Sequence, residues 1–148
     1  MILEQFYTPE GENTVKRLVA LTALVFVFVI NTAFAATPTT EPSLPGDLAT
    51  WQKESATCTK HAGKTLVSSD YVQMAADSLK VMMVITLNGE KVVQGEVTQG
   101  ANPKFVIYVR NSPEKNWLAY TQKENAEAFK RFLDEVGLTQ EQFNACGE

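Results

Sequence analysis

The stretch VMMVITLNGEKVVQGEV, residues 81–97, limits the folds open to this chain more than any other. Asn88-Gly89 stands between two runs of strand-forming residues. A two-residue loop of this kind makes a type I′ turn, because both of its positions need positive φ. An antiparallel hairpin follows. Simple pairing sets Ile85 opposite Val92 and Leu87 opposite Glu90. Carried on unbroken, it would set Met83 against Gln94 and Val81 against Glu96. A one-residue bulge near Gly95 repairs the phase and brings Val97 opposite Val81.

Two more strands extend the hairpin. KFVIYVR (104–110) alternates Phe105, Ile107 and Val109 against Val106 and Tyr108, and WLAYT (117–121) follows the turn NSPEKN. Four strands joined by short turns form a meander. Beyond it, Phe129, Phe132, Leu133 and Val136 recur at i, i+3, i+4 and i+7, and Gly137 ends that helix. Thr139 and Gln142 form a capping box for a second short helix, with Leu138 and Phe143 as its hydrophobic staple.

Upstream of the hairpin, Asp47 is placed as an N-cap. Leu48, Trp51, Ser55, Cys58 and Ala62 follow at helical spacing, and Gly63 stands where a helix would stop. This predicts a helix over 47–62. TLVSSDYVQMAADSLK then reads either as a second, short helix capped by Ser69 or as a small edge strand at Leu66 and Val67, and the helix is the reading preferred. The fold class expected is α+β: an N-terminal helix, a four-stranded antiparallel meander and a C-terminal helix pair packed on one face of the sheet.

Lys16 and Arg17 precede the apolar run LVALTALVFVFVI (18–30), and Ala33-Phe34-Ala35 offers a small-x-small cut. That pattern predicts a signal peptide over residues 1–35 and a mature start at Ala36. The run is about long enough to span a bilayer. Asn31 and Thr32 interrupt it, which favours cleavage over a retained anchor. The acidic MILEQFYTPEGENT ahead of it points to translation from Val15. Residues 36–46, rich in Thr and Pro, read as a flexible lead-in, and 47–148 as a single small domain. The expected location is the periplasm or outside the cell, with no membrane attachment once the leader is cut. Mature residues 36–148 carry fourteen acids against eleven bases with no basic cluster, so a nucleic-acid partner is not expected.

Cys58 and Cys146 are the two cysteines, and His61 is the lone histidine. In an oxidising compartment the cysteines are expected to pair. A loop of almost ninety residues makes that bridge worth about 4–5 kcal/mol in the chain-entropy account. The competing reading, a thiol-dependent enzyme using Cys58 and His61, needs a free thiolate beside the imidazole. One His and two Cys without metal-ligand spacing make a poor metal site. Gly95 and Gly100 have phosphate-loop spacing, but Ala101 and Asn102 stand where Lys and Ser/Thr are required. No catalytic residue, metal or cofactor is assigned.

Tyr108 and Arg110 are expected to face away from the helices, near Trp117 or Tyr120 on the next strand. Such a Tyr/Arg/Trp surface has the composition of a protein-binding patch. The expected function is therefore recognition of a protein or envelope component, in the manner of an inhibitor or accessory subunit. A small-ligand carrier with its site near Trp51, Met83 and Phe132 is the alternative.

Overall fold

The computed structural model describes residues 36–112 and 114–147; the leader, its cleavage site and the start at Val15 lie outside the described residues. Seven strands form one antiparallel sheet: β1 (Thr37–Thr39), β2 (Gln52–His61), β3 (Lys64–Met74), β4 (Ser78–Leu87), β5 (Glu90–Gly100), β6 (Lys104–Asn111) and β7 (Asn116–Tyr120). Their order is β1-β7-β6-β5-β4-β3-β2, so β2 to β7 meander and β1 adds to the far edge. Helix α1 (Asn125–Val136) and the short α2 (Gln140–Asn144) follow.

The N-terminal helix, the four-strand sheet and the C-terminal helix pair are overturned: one long helix, α1, packs on the sheet, and α2 is only five residues long. Residues 48–50 make a single 3-10 turn, and the rest of the expected helix is strand β2. The segment expected as a second helix is β3. Gly63 explains the first error. Positive φ serves a helix stop and a type I′ turn equally. Here Ala62 (φ 49°) and Gly63 (φ 71°) link His61 to Lys64 as a hairpin turn.

The Asn88-Gly89 hairpin forms as expected, with φ of 51° and 87°. Leu87 pairs with Glu90 and Val81 with Val97. The bulge lies nearer the turn than Gly95. Ile85 pairs with Val93 and Thr86 with Lys91, leaving Val92 as the extra residue. Val92 and Val93 are both buried, so the shift places two valines in the core where an unbroken ladder would place one.

Helix α1 buries Phe129, Phe132 and Val136 against the sheet. Gly137 (φ 63°) ends it, with the Leu138 amide donating to the Leu133 carbonyl at 3.1 Å. Lys64 Nζ closes the same end by donating to the Val136 (2.6 Å) and Gly137 (3.1 Å) carbonyls. The expected box opens α2: the Gln142 amide donates to Thr139 Oγ1 and the Thr139 amide to Gln142 Oε1.

Because β1 and β2 occupy opposite edges, residues 40–51 must cross the entire sheet. Six strand spacings amount to about 29 Å. Twelve extended residues reach roughly 40 Å at most. The crossing has little slack, and it passes over the face opposite α1. Gln94 Nε2 donates to the Ser43 carbonyl (3.2 Å), Lys91 Nζ donates to the Pro42 carbonyl and pairs with Glu41 (3.3 Å), and Gln73 reaches Thr50 Oγ1 (3.0 Å). The expected lead-in thus supplies an edge strand and part of this strap.

Candidate functional site

Alternate residues of a strand face opposite sides of the sheet, so the pairing register lays the helix-side face out in rows. One row runs Glu54, Asp70, Met83, Gly95, Ile107 and Tyr120. The next runs Gln52, Val72, Val81, Val97 and Phe105. Helix α1 packs on β6 and the neighbouring part of β5, while α2 is carried toward the tip of β2 and β3. The corner at the other end of β3 and β4 is left open. There Val72, Val81, Val97 and Phe105 stay half-buried, and Met74 at the end of β3 is 79% exposed.

Asp70 lies in the floor of this corner and is only 7% exposed. Among the described residues it has no hydrogen-bond or ion-pair partner. Glu54 stands directly opposite on β2 and is exposed. Burial, and then the neighbouring Glu54 charge, push the Asp70 carboxyl up from 3.8 to about 6. An uncompensated carboxylate in an apolar floor is an acceptor lacking its cation.

A cavity of about 40 Å³ continues the corner toward α2, lined among others by Ala56, Leu66, Met83, Ile85, Phe143 and the cystine. A water needs about 10–15 Å³ by this measure, and small-molecule pockets run to several hundred. The cavity suits a side-chain tip, not a carried ligand. Of Trp51, Met83 and Phe132, the residues expected around a carrier site, Met83 lines it; Phe132 is spent on an edge-to-face contact with Phe143 at 5.4 Å.

Cys58 and Cys146 are joined by a disulfide, with Cα atoms 5.4 Å apart. The sulfur that a thiol enzyme would use is therefore bonded, and His61 is turned to structure: its Nε2 lies 3.1 Å from the Gln142 carbonyl. Lys60 Nζ donates to the Ala145 carbonyl at 2.9 Å. Cysteine, histidine and lysine together moor the C-terminal segment to the tip of the β2–β3 hairpin. Such a bond fits an oxidising compartment.

Tyr108, Arg110 and Trp117 share one face of the sheet, with Arg110 directly opposite Trp117 on β7, but little of the three is exposed. Tyr108 is half-buried on the strap side of the sheet. Arg110 is held by Glu135 of α1 (Nε to Oε1, 2.7 Å) and by Glu90 (2.8 Å), and 12% of its side chain is exposed. Trp117 is 4% exposed, with Lys91 Nζ 5.7 Å from its ring centroid. Lys91, which holds the strap at Glu41 and Pro42, is the side chain over this ring.

Fold and site together define a disulfide-stapled antiparallel sheet with one clothed face and one partly bare one. No protein-family model, curated protein or solved structure matches the chain. Among the described residues no helix is long and apolar enough to cross a membrane.

Proposed function

We propose that the chain is an exported, non-catalytic binding domain of the periplasm or cell exterior. Its open corner takes a segment of a protein partner that presents apolar side chains next to a lysine or arginine. The observation that carries this reading is Asp70, a buried carboxyl without a counter-charge at the border of four half-buried apolar residues. The partner's cation fills the missing half of that pair, and its apolar side chains cover Val72, Val81, Val97 and Phe105. Charge-assisted hydrogen bonds of this kind are the strong ones, and stronger where water is excluded.

A library of displayed peptides, panned on the oxidised domain and on Asp70→Asn, tests it. The expected result is enrichment of peptides with a basic residue flanked by apolar ones, lost on the variant. Enrichment indifferent to Asp70, or none, refutes the reading. The intact mass of the exported protein checks the location: the expected chain begins at Ala36 and is two protons light.

A further inference from the structure

Strand β2 is a free edge. It is ten residues long, and among the described residues nothing pairs with its outer side, whereas β7 is covered by β1. Long open edges invite another strand, and proteins that stay monomeric usually shorten or cover them. The charges on β2 are also unbalanced. Glu54 faces a second carboxylate, Asp70, across the β2–β3 pair, and among the described residues it has no ion-pair partner. Lys60, six residues on, donates to a backbone carbonyl and has no carboxylate partner among those residues.

We propose that two copies of this chain pair antiparallel through β2, with Thr57 of one copy opposite Thr57 of the other. The register follows from symmetry and charge. A two-fold axis perpendicular to the sheet keeps both helix-side faces on one side, so residues of like parity must oppose each other. Of the registers this allows, centring on Thr57 sets Glu54 opposite Lys60, twice over. It also sets Ser55 opposite Thr59 and Ala56 opposite Cys58. Centring on Ser55 sets Glu54 against Ala56, and centring on Ala56 sets it against Cys58, leaving Glu54 and Lys60 unmatched, while Lys53, of the other parity, sits beside Tyr71. The dimer ladder spans Glu54 to Lys60, and its last two residues, Thr59 and Lys60, fall within the bulge between Cys58 and His61 where the pairing with β3 shifts register. The product is one continuous fourteen-stranded sheet with helices on one face and both straps on the other. The two open corners, each with its own Asp70, then flank the shared β2 seam.

The experiment is a charge swap read by analytical ultracentrifugation of the oxidised domain, residues 36–148, at pH 7.5. The wild type is expected to dimerise. Glu54→Lys and Lys60→Glu each set like charges opposite one another at two places and should weaken the dimer on the order of tenfold. The double variant restores opposite charges and should recover the wild-type constant. Melting temperature, read on every variant, separates lost pairing from lost folding. Glu54 and Lys60 are exposed, and Lys60→Glu gives up one hydrogen bond to the Ala145 carbonyl while the disulfide still moors the C-terminal segment, so the singles are expected to stay folded. A monomeric wild type at 0.1–1 mM, a range of about that order covering weak pairs, overturns the proposal. So does a dimer that the double variant fails to restore while remaining folded.

Discussion

Replacing Asp70 by asparagine should make this protein more stable, and only above a definite pH. The folded chain holds that carboxyl at about 6 against an ordinary 3.8. At 1.36 kcal/mol per pKa unit, ionising it in the fold costs about 3 kcal/mol. Below pH 3.8 the group is protonated in both folded and unfolded chains and contributes nothing. Between pH 3.8 and 6 the folded chain keeps a proton that the unfolded chain has lost, so stability falls as pH rises. Above pH 6 the whole penalty applies. Asparagine removes the charge and with it this part of the pH dependence. For a domain of this size, the gain at pH 7.5 corresponds to a rise in melting temperature of roughly 10 °C. Scanning calorimetry of both proteins at pH 4, 5, 6 and 7.5 measures it. The two curves should meet near pH 4 and separate toward neutrality. Equal melting temperatures at pH 7.5, or a gap independent of pH, would refute the burial argument. The same substitution is expected to abolish peptide capture, so stability and binding would move in opposite directions.

Other perturbations test other parts of the fold. Replacing Cys58 and Cys146 together by serine frees a loop spanning 88 residues and should lower stability by about 4–5 kcal/mol, seen in urea unfolding. Gln94→Ala removes a fully buried amide that holds the strap at Ser43 and should cost about 1–3 kcal/mol. Its distinguishing sign is faster hydrogen exchange at residues 40–51. Glu135→Ala leaves the Arg110 guanidinium and the Ser112 amide without their shared acceptor, and thermal unfolding should report a loss of about 3 kcal/mol.

What the sequence displayed was the inner part of the sheet and the long C-terminal helix α1. Strands β4 to β6 are buried on at least one face, so their alternation or their apolar runs are visible, and Asn88-Gly89 marks a turn without ambiguity. Helix α1 has a clean apolar stripe and a glycine stop at Gly137. Strand β2 shows none of this. At an edge, seven of its nine residues from Gln52 to Lys60 are exposed, and Ala, Glu, Gln and Lys lend it a helical look. Its strand character comes from partners distant in sequence: the ladder with β3, the Ser55–Ser69 hydroxyl pair at 2.9 Å and the disulfide. Losing β2 and β3 also hid the site. Read as the residue after a Ser69 helix cap, Asp70 carries no sign that it lies in a row with Glu54 and Met83. The strap was hidden for another reason. Thr- and Pro-rich composition reports flexibility of an isolated segment, and cannot report that Gln94 and Lys91 will hold its carbonyls.

The placement of β1 has a consequence for the order in which the chain assembles. Strands β2 to β7 join neighbour to neighbour, so each hairpin closes over a few residues as soon as it is made. Thr37 finds its partner only at Ala119, and Cys58 finds its own at Cys146. Both closures wait for the C-terminal third, and contacts of that sequence separation are the slow ones. A chain delivered N-terminus first would hold its opening strand idle until almost everything else had arrived. Sealing the β7 edge is then a late event in maturation, and until it happens the half-made sheet is open on both sides.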